Sequence, residues 1–382
     1  IHFENRRHGT VRSMSLRKLL AALGCLLTLA SGATAQGQTV PDWQKKWDET
    51  LAAAKAEGKL VVVGQPSPAM RNEIVPAFSK KYGIPVELIA GQTSTIVGKI
   101  RTERASGIYS ADVFMSNAST SVNTLYAEKM LDPLKSLLLL PEVTEGKYWK
   151  KGEPYFADPE KEFLLILFSS VDSLLFINAD YVKPEEIRSA EDLLNPKWKG
   201  KIATEDPKLG GGSGVQSAVH FYTQKGPDFV RKLYVDQQPT IQRDRRILSD
   251  WMARGTHPIC LTCHIDDARA LIKEGFKLVE VFELSDMKNR ITPTPSLLSF
   301  ANKAPHPNAA RIFVNWLGSK EGLELYSRHS QSATLRTDVD ESFLDPHIIP
   351  KPGKEYVDNT DLNWVATGQR ETAEKMRALL KK

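Results

Sequence analysis

The sequence predicts an α/β protein of two lobes, each a mainly parallel sheet flanked by helices. Three observations lead there. Short, fully apolar strands alternate with helices from residue 42 onward, the pattern of parallel strands covered on both faces. The alternation breaks over residues 141–162, a polar stretch rich in Pro, Gly, Lys and Glu, and resumes at residue 201. A length of 382 residues is enough for two domains, each with its own core.

Taken in order, Asp42 can cap a helix that lines up Trp43, Trp47, Leu51 and Ala54 on one face, and Gly58 ends it. Strand 60–63 runs into the loop Gly64-Gln65-Pro66-Ser67-Pro68. Helix 69–80, strand 86–90, loop 91–94, helix 95–105, strand 111–115, loop 116–117 and helix 119–130 follow. The stretch "FLLILFSSVDSLLFINADYV" predicts two apolar strands in succession. The second run comprises strand 201–204, the loop "EDPKLGGGSG", helices 215–224 and 228–235, a short strand near Thr240, helix 245–254, strand 258–262, helix 267–274 and strand 277–283. The chain then crosses "ITPTPSLLSFANKAP" into an amphipathic helix at 308–317 and closes with helix 372–380. No internal repeat or low-complexity tract interrupts it.

The amino-terminal residues read differently. After Met14 come Arg17 and Lys18, an apolar run at 19–30 that contains Cys25, and Ala33-Thr34-Ala35 ahead of Gln36. This is the pattern of a cleavable secretory signal, and the run is shorter than the ~20 residues a membrane-spanning helix needs. Residues 1–35 are therefore expected to lie outside the fold. Without them the formal charge falls from +5 to +1, with 46 basic against 45 acidic residues, so net charge gives no argument for a nucleic-acid partner. Two cysteines remain for an oxidising compartment, too few for disulfides to be the main source of stability.

Four stretches carry a family resemblance: "WDETLAAAKAEGKLVVVG" (47–64), "NPKWKGKIATEDP" (195–207), "QRDRRILSDWMARGTHPI" (242–259) and "KAPHPNAARIFVNWLGSKEGLELYSR" (303–328). In this order and spacing they resemble the extracellular solute-binding proteins of ABC importers, within the family 1, iron(III)-type group. The resemblance implies a type 2 periplasmic binding protein fold, with two crossover strands as a hinge that closes on a ligand. It implies a discontinuous lobe 1 (36–174 and 293–382) with lobe 2 (175–292) inserted. It further implies a periplasmic location, no catalytic activity, no cofactor, and two kinds of partner: a small-molecule ligand, and an ABC permease with its ATPase, through which alone the chain meets the membrane.

Ligands of open α/β sheets sit beyond the carboxyl ends of the strands, where helix N-termini offer unpaired N–H groups and partial positive charge. The residues placed there are Ser67; Gln92, Thr93 and Ser94; Asn117 and Ser119; and Gly212 and Ser213 in the glycine run. Arg243 precedes a helix for which Asp244 is the expected cap, and a guanidinium there can fork onto a carboxylate or phosphate. Each has a plainer alternative: turn material for the glycines, capping for Ser94, Asn117 and Ser119, and a solvated basic cluster for Arg243. Together they suggest a small polar, anionic solute.

"HPICLTCH" (257–264) raises haem, zinc and thiol redox chemistry. If strand 258–262 stays extended through Cys263, the two cysteine Cα atoms stand about 10 Å apart and on opposite faces, too far for a disulfide unless the chain turns first. Two separate small hydrophobes are the expectation, with a local disulfide after a turn as the alternative. In relatives that bind ferric iron a pair of adjacent tyrosines ends this strand. Here Cys263 and His264 stand in that place, and His264 is the residue expected to reach ligand. A ferric-ion or ferric-chelate carrier, and a secreted thiol or haem redox protein using Cys260 and Cys263, are the rival functions.

Overall fold

The computed structural model describes residues 40–64, 67–91, 93–208, 212–361 and 363–381. Asp42–Lys382 form one compact unit. The chain opens with α1 (Asp42–Glu57), β1 (Leu60–Gly64), α2 (Val75–Tyr82), β2 (Val86–Ala90), α3 (Thr93–Ala105), β3 (Val113–Ser116) and the short α4 (Ala118–Thr120). It continues through β4 (Leu131–Asp132), α5 (Pro141–Thr144), β5 (Tyr155–Phe156), β6 (Leu165–Ile166), β7 (Ser170–Val171) and β8 (Leu175–Asn178). Next come β9 (Ile202–Thr204), α6 (Ser213–Arg231), β10 (Thr240–Ile241), α7 (Arg245–Ala253), β11 (Ile259–Cys260), α8 (Ile265–Lys273) and β12 (Leu278–Val281). The rest is β13 (Arg290–Thr292), β14 (Leu297–Ala301), α9 (Pro307–Gly318), α10 (Lys320–Ser330), β15 (Val357–Asp358) and α11 (Gln369–Leu379).

Two sheets, each flanked by helices, form the two lobes. In the first the order is β2-β1-β3-β14-β6-β5, with β4 also on β14. The β2-β1-β3 part is parallel, in the register Val62↔Leu88 and Val62↔Val113, and β14, β6 and β5 pair antiparallel. In the second the order is β10-β9-β11-β8-β12, parallel among the first three and antiparallel at β8 and β12. Both sheets are thus mixed. Parallel pairing is confined to the strands that the crossover helices link, and strands such as β14 and β8, which carry the chain across, run the other way.

β1, β3, β8 and β9 are buried throughout as predicted, whereas β2, at the edge of the first sheet, is only partly buried. Leu60, Val62, Phe78, Phe114, Phe313 and Trp316 belong to the core of the first lobe. The second sheet has a core on each face, and the alternation of its strands assigns the residues: Ile177, Ile202 and Ile259 to one, Phe176, Ala203 and Cys260 to the other. The two helices expected at 215–224 and 228–235 are present, parted within the α6 range at Gly226, which takes a non-helical φ of 83° and ψ of 177° ahead of Pro227. Among the described residues no helix is long and apolar enough to cross a membrane.

Two features differ from expectation at the carboxyl-terminal end. α10 was not predicted, although Ser319 caps it by accepting the Gly322 N–H at 3.2 Å. α11, in the segment that the sequence assigns to lobe 1, packs against α6 and places Ala373 and Met376 in a core of the second lobe. A chain that starts on one lobe and finishes on the other crosses an odd number of times. Between the lobes β15 joins β13 and β7 in a small sheet of order β15-β13-β7, with β13 antiparallel to β7 and β15 parallel to β13.

One glycine is required for the second lobe to assemble. A Cβ on Gly214, in the first turn of α6, would stand 2.8 Å from the Asp206 carbonyl oxygen and 2.9 Å from that of Glu205, so only glycine lets the helix start against the end of β9. Gly214→Ala should lower stability by about 1–3 kcal/mol in urea unfolding. A parent-like midpoint would mean that the helix start yields without cost.

Candidate functional site

Polar residues stand beyond β1, β3 and β9. Beyond β1, Ser67 Oγ accepts the Met70 N–H at 3.2 Å, and its carbonyl accepts the Arg71 N–H at 3.1 Å. Beyond β3, Asn117 caps α4 by accepting the Thr120 N–H at 2.9 Å, and Ser119 Oγ accepts from Asn123 Nδ2 at 3.4 Å. Ser67, Asn117 and Ser119 are partly exposed. Capping, the plainer reading, therefore accounts for the hydrogen bonds that Ser67 and Asn117 make. Gln92 lies outside the described residues. Thr93 opens α3, but its side chain and that of Ser94 lie outside the description as well.

In the second lobe the turns are tied together. Beyond β9, the Glu205 N–H donates to Thr262 Oγ1 at 2.7 Å, and the Ser213 hydroxyl donates to the Glu205 carboxylate. Gly212, exposed and extended at φ −72° and ψ −178°, is the N-cap of α6. A Cβ there would meet nothing within 4 Å, so the steric need for glycine lies at Gly214 and not at Gly212. Gly210 and Gly211 lie outside the described residues. Arg243 is exposed, with its N–H on Gln242 Oε1 at 2.7 Å, and Asp244 caps α7 by accepting the Arg246 N–H at 2.9 Å, as expected. Arg243 follows Gln242, whose N–H donates to the Thr204 carbonyl at 3.0 Å, so its backbone lies at the same end of the second sheet as Glu205.

The expectation of two unlinked cysteines on an extended strand is corrected. β11 ends at Cys260, the chain turns at Leu261 and Thr262, and Cys260 and Cys263 form a disulfide with Cα atoms 5.7 Å apart. The reason lies in a partner distant in the chain: Thr262, which would have continued the strand, turns its hydroxyl back onto Glu205. His264 then becomes the N-cap of α8. Its Nδ1 is buried without a hydrogen-bond partner, 3.9 Å from Asp267 Oδ2.

Tyr326, on the unpredicted α10, shows where the two lobes meet. Burial raises its phenol pKa above the ordinary value; the nearby Ser296 and Ser67 hydroxyls oppose that shift and the charge of Asp266 adds to it. Ser67 and Ser296 belong to the first lobe, and Asp266 follows His264 in the first turn of α8. The loop after β1 therefore lies by this ring, and the start of α8 is near enough for the charge of Asp266 to act on it. Ser296, Tyr326, Glu205, Thr262 and Asp266 are the residues that sequence reasoning missed. The signal for Tyr326 was present in the Ser319 cap and the Leu323 and Tyr326 spacing.

The hinge carries a buried charge network. Arg290, 8% exposed, donates from Nε to Asp172 Oδ2 at 3.2 Å and from Nη1 to the Gln216 carbonyl of α6 at 3.3 Å. Thr292 Oγ1 donates to Asp172 Oδ1 at 2.8 Å, and the Thr292 and Thr294 hydroxyls are 2.6 Å apart. His220 lies in the same region. Burial first, and then the Arg290 charge, push its pKa down to about 3 against a smaller opposing pull from the Lys288 backbone.

A cavity of about 490 Å³ lies elsewhere, lined by Arg269, Glu280, Phe282, Gln331, Asp345 and His347 among others, and none of the sequence-predicted site residues reaches it. Its charged groups are already paired, Arg269 Nε to Glu280 Oε1 at 2.8 Å, His347 Nδ1 with Asp345 Oδ1 at 2.9 Å, and Glu283 with Lys354 at 2.6 Å. Among the described residues no group of three or more His, Cys, Asp and Glu is placed to hold a metal ion.

Two α/β lobes on a small hinge sheet, with helix starts facing each other at the strand ends, make up the architecture of the periplasmic binding proteins, and comparison of folds agrees. AfuA from Actinobacillus pleuropneumoniae, with exogenous fructose-6-phosphate bound, superposes with a TM-score of 0.66 at 18% identity, covering 85% of this chain and 99% of that one. Iron-bound HitA from Pseudomonas aeruginosa gives 0.63 at 17% identity, covering 83% and 99%. FutA (IdiA) of Trichodesmium, in complex with iron and citrate, gives 0.59 at 18%, covering 84% and 99%. At these identities the likeness is one of fold. Residues 59–329 match the bacterial extracellular solute-binding proteins, and the chain belongs to that family. Iron uptake protein A1 of Synechocystis sp. is 28% identical over 131 residues, 34% of this chain, and the match spans about a third (33%) of that curated relative's length.

His220 gives the site region a pH signature. With a folded pKa of about 3 against an ordinary 6.5, the unfolded chain takes up a proton that the folded chain refuses, so stability falls as pH drops from 6.5 toward 3. The loss reaches about 5 kcal/mol at the acid end. Urea unfolding of His220→Phe should decline less steeply than the parent between about pH 6 and 4. Equal slopes would show that the folded protein accepts the proton.

Proposed function

We propose that this protein is the periplasmic substrate-binding subunit of an ABC importer, and that it captures a small anionic solute between its lobes and hands it to a permease served by an ATPase. In this reading residues 1–35 are a leader that is cleaved on export. Lobe 1 comprises 36–174 and the segment from 293, lobe 2 comprises 175–292, and α11 straps back onto lobe 2. The chain performs no catalysis of its own.

The observation that carries this is the nearness of the lobes at Tyr326, which lies by Ser67 in the loop after β1 and on which the charge of Asp266, at the start of α8, acts. Helix starts at that meeting supply N–H donors for an anion. Glu205, which accepts the Ser213 hydroxyl, and Asp266 add carboxylates to the same region, and a ligand that is all acceptor would be repelled there. The solute that fits carries both an anionic group and hydroxyl donors, as a sugar phosphate or a hydroxycarboxylate does. Fructose-6-phosphate and citrate, bound by two proteins of the same fold, belong to those classes.

A ferric-ion or ferric-chelate reading is the second, supported by the iron-bound HitA neighbour and by the unpaired His264 Nδ1. No adjacent tyrosine pair is present in the sequence, and Cys263 is held in a disulfide. The redox-protein reading has less support, since Cys260 has no exposed surface to offer a partner.

Thermal-shift titration with fructose-6-phosphate, citrate, inorganic phosphate and ferric citrate tests these readings. A rise in Tm with a hydroxylated anion is expected, and Ser213→Ala should weaken that binding about fivefold to tenfold, the worth of one hydrogen bond. A charge-transfer band on adding ferric citrate would instead favour the iron reading. A response to neutral apolar compounds alone would overturn both.

A further inference from the structure

The disulfide stands at the root of the contacts that join the two helix starts of the second lobe. Cys260 closes β11, and Cys263 immediately precedes the α8 N-cap, His264. An extended segment would hold their Cα atoms about 10 Å apart. They are 5.7 Å apart, so the bond and the turn at Leu261 and Thr262 go together. That turn directs Thr262 Oγ1 to the Glu205 N–H at 2.7 Å and to within 3.4 Å of Thr204 Oγ1. Glu205 in turn accepts the Ser213 hydroxyl, and Gly214 lies against the 205–206 backbone too closely to admit a Cβ. From the disulfide, contact passes through Thr262 and Glu205 to the first turn of α6, while Cys263 leads directly into α8. Both sulfurs sit in the core with Leu248, Met252 and Ala268, beneath α7 and α8, where the bond acts through geometry and not as an exposed reagent.

We propose that the Cys260–Cys263 disulfide is the positioning element for the second lobe's half of the solute site, fixing the starts of α6 and α8 relative to each other, and that a dithiol reductant loosens this half without unfolding the lobe. The proposal rests on the reading of the interlobe region as the solute site. In the reduction the dithiol attacks at Cys263, which keeps 8% of its surface exposed where Cys260 keeps none; the S–S bond breaks, two electrons and two protons pass to the two sulfurs, and the dithiol leaves as its cyclic disulfide. The turn is then free to extend, and an extended turn points Thr262 away from Glu205.

Amide hydrogen exchange on the whole protein, oxidised and after dithiothreitol, tests this without any ligand. Exchange should quicken roughly tenfold at the Glu205 amide and in the first turns of α6 and α8, while amides of β8 and β12 stay within about twofold. The Cys260→Ser, Cys263→Ser double variant should match the reduced protein. Should that variant fail to fold, Thr262→Val with the disulfide intact should quicken Glu205 and leave the first turn of α8 unchanged. Unaltered exchange on reduction overturns the proposal, and so does an equal increase throughout the second lobe, because the bond would then contribute only to overall stability. Citrate and fructose-6-phosphate affinities, measured on the same two states, report separately on the solute site: no binding in either state defeats that reading and leaves the exchange result standing.

Discussion

A parallel strand has to be followed by a crossover, and the crossover helix has to begin where the strand ends. Much of this molecule follows from that constraint. β1 lies between β2 and β3 with all three parallel, so the turns that follow them share one edge of the first sheet. β9 and β11 are parallel neighbours in the second, so α6 and α8 start side by side. No residue has to be selected for this arrangement to exist. Selection acts on what the turns carry, and here they carry hydroxyls, an amide, an imidazole and carboxylates in place of bulky apolar groups.

The same constraint explains the hinge. The antiparallel pair β7 and β13 takes the chain from lobe to lobe, β15 lies parallel beside β13, and α11 finishes on the second lobe. Trp364, just ahead of α11, packs against the cores of both lobes. Any closing motion turns about β7, β13 and β15 with this ring as a further tie. Arg290 and Asp172 lie at that pivot, and a mostly buried ion pair is costly to break on one side only. Its second contact, to the Gln216 carbonyl of α6, couples the pivot to the helix whose start lies at the proposed site.

What was legible in the sequence was whatever depends on local pattern. The apolar runs at 60–63 and 111–115 could be read as strands because buried parallel strands need no alternation, and Asn117 and Asp244 could be read as caps because capping is decided within a few residues. What was not legible depends on partners distant in the chain. Strand 258–262 is cut short because Thr262 bonds to Glu205, 57 residues earlier, and without that contact nothing in "PICLTCH" indicates a turn. α11 carries an ordinary amphipathic pattern that fits either lobe. Tyr326 reads as a core tyrosine, and only the fold brings Ser67, Ser296 and Asp266 around it.

The placement of carboxylates among amide donors decides what the proposed site can distinguish. Closure removes water, and in the lower dielectric both attraction and repulsion grow. A bare tetrahedral anion satisfies helix N–H groups but leaves Glu205 and Asp266 facing negative charge, a cost that rises as the lobes approach. A solute with hydroxyl groups on the far side of its anion turns the same carboxylates into acceptors. Discrimination then comes from the groups that would oppose the wrong ligand. It requires those groups to hold their positions, and a covalent link at Cys263, three residues before Asp266, supplies more rigidity there than a capping hydrogen bond could.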